Sequence, residues 1–171
     1  PEVRGDRALV LEAVKDEGCT LQFAAKELLS DREIVFAAVE QDADALEHAA
    51  PELRCDPELV GLAVGKRGKT LEFAGEALRG NKGILLKAVS QDGMALRLAS
   101  DELKRDRDVV LAAVKQDGDA LEVCHESFLN DKEIVTYAVG ANGMLLAQVS
   151  EDLRADRDVV QAAIRFDGVA L

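Results

Sequence analysis

Residues 106–121 read Asp106-Arg107-Asp108-Val109-Val110-Leu111-Ala112-Ala113-Val114-Lys115-Gln116-Asp117-Gly118-Asp119-Ala120-Leu121, and this stretch decides the fold. Its apolar residues Val109, Val110, Ala113 and Val114 stand at i, i+1, i+4 and i+5. That spacing marks one stripe of an α-helix, not the alternation of a strand. Asp106 precedes the stripe and suits an N-cap, because its carboxylate can accept the free N–H groups of a first helical turn. Asp108 then lies near the positive end of the helix dipole. Gly118 follows the last periodic residues and is expected to stop the helix by adopting positive φ at little cost.

Outward from this stretch the pattern recurs along the whole chain. Asp6, Asp31, Asp56, Asn81, Asp106, Asp131 and Asp156 lie 25 residues apart with no insertion. Counting that residue as position 1, position 8 is alanine in every repeat, from Ala13 to Ala163. Position 13 is glycine from Gly18 to Gly168, except at Ala43. Position 16 is leucine from Leu21 to Leu171, and position 23 is leucine except at Phe128. Positions 4, 5, 8 and 9 therefore predict a helix A over about positions 2–11 of each repeat. Positions 16, 19 and 23 predict a second helical stripe, helix B. It is either continuous or broken near position 20 or 21, where Pro1 and Pro51 stand and where Ser100 and Ser150 could cap a further turn.

A 25-residue helical hairpin cannot bury its own apolar stripe, whereas stacked hairpins share a continuous core. The expected fold is therefore all-α, an α-solenoid of helical hairpin repeats spanning residues 1–171, with repeats starting at 6, 31, 56, 81, 106, 131 and 156. The invariant alanine fits close approach of neighbouring helices. Both ends fall mid-repeat, at Pro1 and Leu171, and no polar capping repeat is visible. The expectation is an excerpt of a longer array, or ends covered by partners.

Residues 106–121, with the tail Ser100-Asp101-Glu102-Leu103-Lys104, resemble the unit of a helical repeat family of unknown function. Its consensus runs roughly D-x-E-V-V-x-A-A-V-x-x-x-G-x-A-L-x-x-A-S-x-E-L-R. The likeness covers essentially the whole chain. The family recurs in protists, algae and some bacteria, and no activity is assigned to it. The resemblance implies a repeat scaffold and carries over no site residues. Repeat 3 departs most from the pattern, at Gly61, Gly65 and Arg67.

Composition narrows the function classes. The 171 residues are 48% hydrophobic and 32% charged, with no Trp, which suits a folded domain and not a disordered tail. No apolar run approaches the roughly 20 residues of a membrane span, and no secretory signal opens the chain. Net charge is −12, which argues against nucleic acid as a partner, because backbone binding needs a basic face. The three cysteines, Cys19, Cys55 and Cys124, are widely spaced and odd in number. That predicts a reducing, intracellular compartment, with no disulfide frame or zinc site.

Three features resemble chemistry and have plainer readings. Ala63-Val64-Gly65-Lys66-Arg67-Gly68-Lys69-Thr70 fits a loose phosphate-loop pattern. A working loop follows a strand, however, and here Ala63, Val64 and Gly68 hold ordinary repeat positions. Cys124 and His125 are adjacent, so on a helix their side chains point about 100° apart, and Cys124 takes a packing position. His48 shares position 18 with Phe23 and Phe73 and reads as a packing or rim residue. The carboxylate ladders at positions 1 and 12 read as caps and solvated face.

Charge by repeat is more informative. Repeats 1–7 carry −2, −5, 0, +2, −4, −2 and −1, so the basic residues concentrate in repeats 3 and 4. Lys66, Arg67, Lys69, Lys87 and Arg97 are the candidate protein-binding residues. The expected function is a non-catalytic scaffold for protein–protein interaction, a structural or peripheral subunit of a larger assembly, with no cofactor and no metal. Two alternatives stand beside it. One is a regulatory or tethering array attached to a catalytic domain outside this sequence. The other is a phosphate-binding module at repeats 3 and 4.

Overall fold

The structure, a computed structural model of the chain, describes residues 3–166. Pro1, Gly168 and Leu171, assigned above to repeat positions, lie outside the described residues. Seven ten-residue α-helices recur there: α1 (Arg7–Asp16), α2 (Arg32–Gln41), α3 (Pro57–Lys66), α4 (Lys82–Gln91), α5 (Arg107–Gln116), α6 (Lys132–Ala141) and α7 (Arg157–Phe166). Each spans positions 2–11 of its repeat, as the sequence predicts. No strand occurs among the described residues, and no helix there is long and apolar enough to cross a membrane.

The N-caps form as expected. Asp106 Oδ1 accepts the Asp108 and Val109 N–H groups at 3.0 and 3.3 Å, and Asp6, Asp31, Asp56, Asp131 and Asp156 repeat the arrangement. Asn81 caps α4 by accepting the Ile84 N–H at 3.1 Å.

The second limb is not one α-helix. It breaks into two short pieces on either side of positions 19 and 20. The first is a 3-10 helix such as Ala43–His48 or Gly118–Val123. The second is a 3-10 turn such as Lys26–Ser30, or a single α-turn at Glu76–Arg79 and Glu151–Arg154. Position 19, between them, is extended, with φ −64° and ψ 148° at Ala49. A 3-10 helix brings residues three apart onto one face, so positions 16 and 19 keep their place in the core although the limb is broken.

The glycine at position 13 also works differently from the expectation. No described glycine has positive φ. Helix A ends on an extended residue at position 12, with φ −144° and ψ 115° at Asp117. The glycine is there for space. A Cβ on Gly93 would lie 2.5 Å from the Ala113 carbonyl oxygen, and one on Gly118 would lie 2.8 Å from that of Ala138. Position 13 of one repeat therefore presses against position 8 of the next. Ala43 is the exception to the glycine rule, and it is itself buried, 6% exposed.

The chain divides into two compact halves, Pro1–Gln91 and Asp92–Leu171. In the first, α1 packs on α2, α2 on α3, and α3 on α4. In the second, α5 packs on α6, and α6 on α7. Each half has a core of the same positions: Ile34, Val35, Ala38, Val39 and Leu46 in repeat 2, and Val109, Val110, Ala113, Val114 and Leu121 in repeat 5. Full burial of a Val, Leu or Ile contributes about 1.5–3 kcal/mol, which makes these ladders the main stabilising term. In α1 the equivalent Leu9 and Ala13 are exposed.

Repeat 6 corrects one ladder. Position 16 there is Leu146, but the residue buried is Leu145 at position 15, 1% exposed, while Leu146 is half-buried. The other repeats carry Thr or Ala at position 15. The 3-10 helix shortens to Gly143–Ala147, and Gln148 turns to φ −96° and ψ −16°.

Candidate functional site

One recurring set of exposed charges is occupied by a neighbouring repeat. The cation at position 2 reaches forward to the acids at positions 1 and 3 of the next repeat. Arg7 pairs with Asp31 at 2.7 Å and Glu33 at 2.5 Å, and Arg32 with Asp56 at 3.2 Å and Glu58 at 2.5 Å. Arg107 pairs with Asp131 at 2.8 Å and Glu133 at 2.7 Å, and Lys132 with Asp156 and Asp158 at 2.8 Å each. The Arg7 side chain, hydrogen-bonded to Asp31, holds that carboxyl below the usual carboxylate range, and Arg107 does the same to Asp131. Repeat 3 drops the cation and repeat 4 drops both acids: Pro57 stands at position 2, with Asn81 and Gly83 beyond it.

A second set of rungs joins the helix A C-termini. Gln41 Oε1 accepts the Gly18 N–H at 2.6 Å, and Gln116 Oε1 accepts the Gly93 N–H at 2.5 Å. Asn142 instead donates to Asp119 at 2.7 Å. A third set is backbone only. The Ala50 N–H donates to the Leu29 carbonyl at 2.9 Å, Gly75 to Arg54 at 2.8 Å, and His125 to Lys104 at 3.1 Å.

These rungs account for part of the predicted basic patch. Arg67 is ion-paired to Asp44, the counterpart of the Asn142–Asp119 rung. The Lys66 ammonium donates to the Glu40 carbonyl oxygen. Lys69, Lys87 and Arg97 are exposed and have no ion-pair partner among the described residues. Lys66, Arg67, Lys69 and Lys87 belong to Pro1–Gln91, and Arg97 to the other half. The structure therefore does not describe the five as one patch.

The phosphate-loop resemblance does not fold as a phosphate loop. Residues 63–66 end helix α3, and residues 68–73 form a 3-10 helix. Thr70 is 1% exposed, and its hydroxyl donates to the Arg67 carbonyl at 2.8 Å. Its twin Thr20 donates to the Glu17 carbonyl at 2.7 Å.

Cys124 and His125 are engaged separately. The Cys124 thiol lies 3.1 Å from the Leu121 carbonyl, and burial pushes its pKa up to about 11. The His125 ring caps the next turn, Nδ1 accepting the Ser127 N–H at 3.2 Å. His125, Asn130, Gln148 and Ser150 line an open concavity of about 530 Å³. Its polar groups are also committed: Ser150 Oγ donates to Asn130 at 3.0 Å, and Gln148 donates to Glu122 at 2.9 Å.

Among the described residues, one surface that no rung uses is the outward face of helix A, at positions 6, 7 and 10. Leu11, Phe36, Leu62, Leu86 and Leu111 are half-buried there, and Tyr137 is exposed. Two of its rings are covered by cations of the same half: Arg32 lies 4.3 Å from the Phe36 ring centre and Lys115 4.7 Å from that of Tyr137. The periodicity argument missed this face because positions 6 and 7 change character from repeat to repeat. The position-2 rungs were legible, since Arg or Lys there precedes acids at i+24 and i+26, and Pro57 precedes Asn81 and Gly83.

Comparison with known proteins identifies the repeat. A family model described as a domain of unknown function, DUF4116, matches residues 6–54, 56–104, 81–129, 106–147 and 131–171. No curated protein matches the chain, and no solved structure does.

Proposed function

Because the chain belongs to the DUF4116 repeat family, whose description names no activity, we propose from its own surface a non-catalytic scaffold that binds other proteins. Its role is that of a structural or peripheral subunit in a larger assembly. The observation that supports this is a division of labour between positions. The recurring positions build the core and the rungs. The outward positions differ between repeats: position 7 reads Glu12, Ala37, Leu62, Lys87, Ala112, Tyr137 and Ala162. Repeat proteins bind through such variable positions on a constant frame. The unpaired Lys69, Lys87 and Arg97 are contact residues in this reading, and Lys66 and Arg67 contribute through their exposed faces. The three free cysteines suit a reducing intracellular compartment.

Native affinity purification of the protein, followed by mass spectrometry and sizing of the eluate, tests the proposal. Stoichiometric partners are the expected result. Recovery as a lone monomer overturns it.

A further inference from the structure

Helix α3 breaks a local rule. Gly61 and Gly65 stand four residues apart on its outward face, and glycine inside a helix is destabilising relative to alanine. Nothing in the packing requires them. A Cβ on Gly65 would meet no atom within 4 Å, and one on Gly61 would meet only Lys87 Nζ, at 3.6 Å, an ordinary contact. Neither has positive φ. Residues that break local preference without structural return mark functional positions.

The surroundings give this bare backbone a chemistry. In register, Phe36 on α2 and Leu86 on α4 hold the position that Gly61 holds on α3, and both are half-buried, as is Leu62. The backbone therefore lies between Leu86 and the Phe36 ring, over which Arg32 stands at 4.3 Å. Lys66 and Lys87 supply the charge. The carbonyl that Lys66 meets is neutral, so its positive charge is not cancelled by that bond, and Lys87 has no ion-pair partner among the described residues. Glu40 is the one carboxylate at positions 6, 7 and 10 of these three helices. With position 11 added, where Lys66 stands, the charged residues are Lys66, Lys87 and Glu40, a net +1 on a chain whose net charge is −12, and the position-3 carboxylates Glu33 and Glu58 are ion-paired to Arg7 and Arg32.

We propose that the outward face of α2, α3 and α4 is a docking site for an acidic protein segment that carries an apolar anchor. Carboxylates of the segment meet Lys66 and Lys87, and its apolar side chain lies on the Gly61–Gly65 backbone between Phe36 and Leu86. This rests on the scaffold reading and names the chemistry of its partner.

The test is a display selection of random peptides on the whole chain, with anisotropy titration of the peptides recovered. They are expected to combine Asp or Glu with Leu, Ile or Phe. Gly65→Gln is expected to weaken their binding about tenfold or more. The same variant should melt at or above wild type, since Gln is the better helix former, so the loss is not unfolding. Lys87→Glu should weaken binding comparably and flatten its salt dependence. Three results overturn the proposal: no peptide recovered, recovered peptides that are basic or uncharged, or acidic peptides that bind Gly65→Gln as tightly as wild type. Partners found by native purification would still uphold the scaffold reading in each of those cases, so the two readings fail separately.

Discussion

At the scale of single residues, two glycines of one chain predict opposite outcomes. Gly118 has the Ala138 carbonyl and the Ala141 Cβ within 2.8 Å of where its own Cβ would stand. Gly118→Ala should cost about 1–3 kcal/mol, the usual penalty for overfilling a packed site. Gly65→Ala should add about 0.5–1 kcal/mol, because it meets open space and improves the helix. Urea unfolding of the two variants checks both signs. Asp131 makes a second case. Its carboxyl is held low by the Arg107 hydrogen bond, so the pairing stabilises the fold above about pH 4 and is lost as pH falls through the folded value. Asp131→Asn keeps a capping oxygen but loses the ion pair. It should be less stable than wild type at about pH 7, with the difference closing only as pH falls below the lowered folded value. The Arg107 side chain is 48% exposed, so the gap should be small and shrink in salt.

At the scale of elements, the missing rung between α3 and α4 can be rebuilt. Pro57→Arg alone has no carboxylate to meet, and it gives up a proline suited to the first helical turn. Adding Asn81→Asp and Gly83→Glu supplies the partners found in the other repeats. The triple variant should exceed the sum of Pro57→Arg and the Asn81→Asp/Gly83→Glu pair by about 0.2–1 kcal/mol, the range of exposed ion pairs. Thermal melts at low and high salt would show the excess and its screening. Helix A was legible in the sequence because Asp106 and the Val109–Val114 stripe agree on its start and face, while its end at Gly118 was placed correctly for the wrong reason, since that glycine supplies clearance and not positive φ. The second limb was legible only as a stripe. Leu46 and Ala49 are three apart, and that spacing suits an α-turn and a 3-10 turn equally. Periodicity marks what is buried, so it identified the core, flagged Gly61 and Gly65 only as departures from the pattern, and passed over Phe36. Charge counted by repeat found Lys66 and Lys87 but could not separate them from Arg67, which Asp44 occupies.

At the scale of the whole molecule, the broken second limb has a spectroscopic signature. Helix A supplies ten α-helical residues per repeat, while the remaining helical residues are mostly 3-10. The far-UV circular dichroism should show a weaker 222 nm band relative to 208 nm than an array of true α-hairpins of the same length (a flat expectation for a chain without Trp). A ratio typical of an α-hairpin array would contradict the fold described. The rungs at the helix A ends have a different consequence, one for assembly. Every repeat offers nearly the same apolar surface to its neighbour, so hydrophobic matching alone cannot tell the adjacent repeat from the one after it. The polar joints can. Gln41 fits the Gly18 amide, Arg67 fits Asp44, and Asn142 fits Asp119. A chain that skipped repeat 2 would bring Arg67 to Cys19 and strand Asp44 without its cation. The mismatched hardware at these joints thus numbers the modules, and it penalises any folding route that stacks them out of turn.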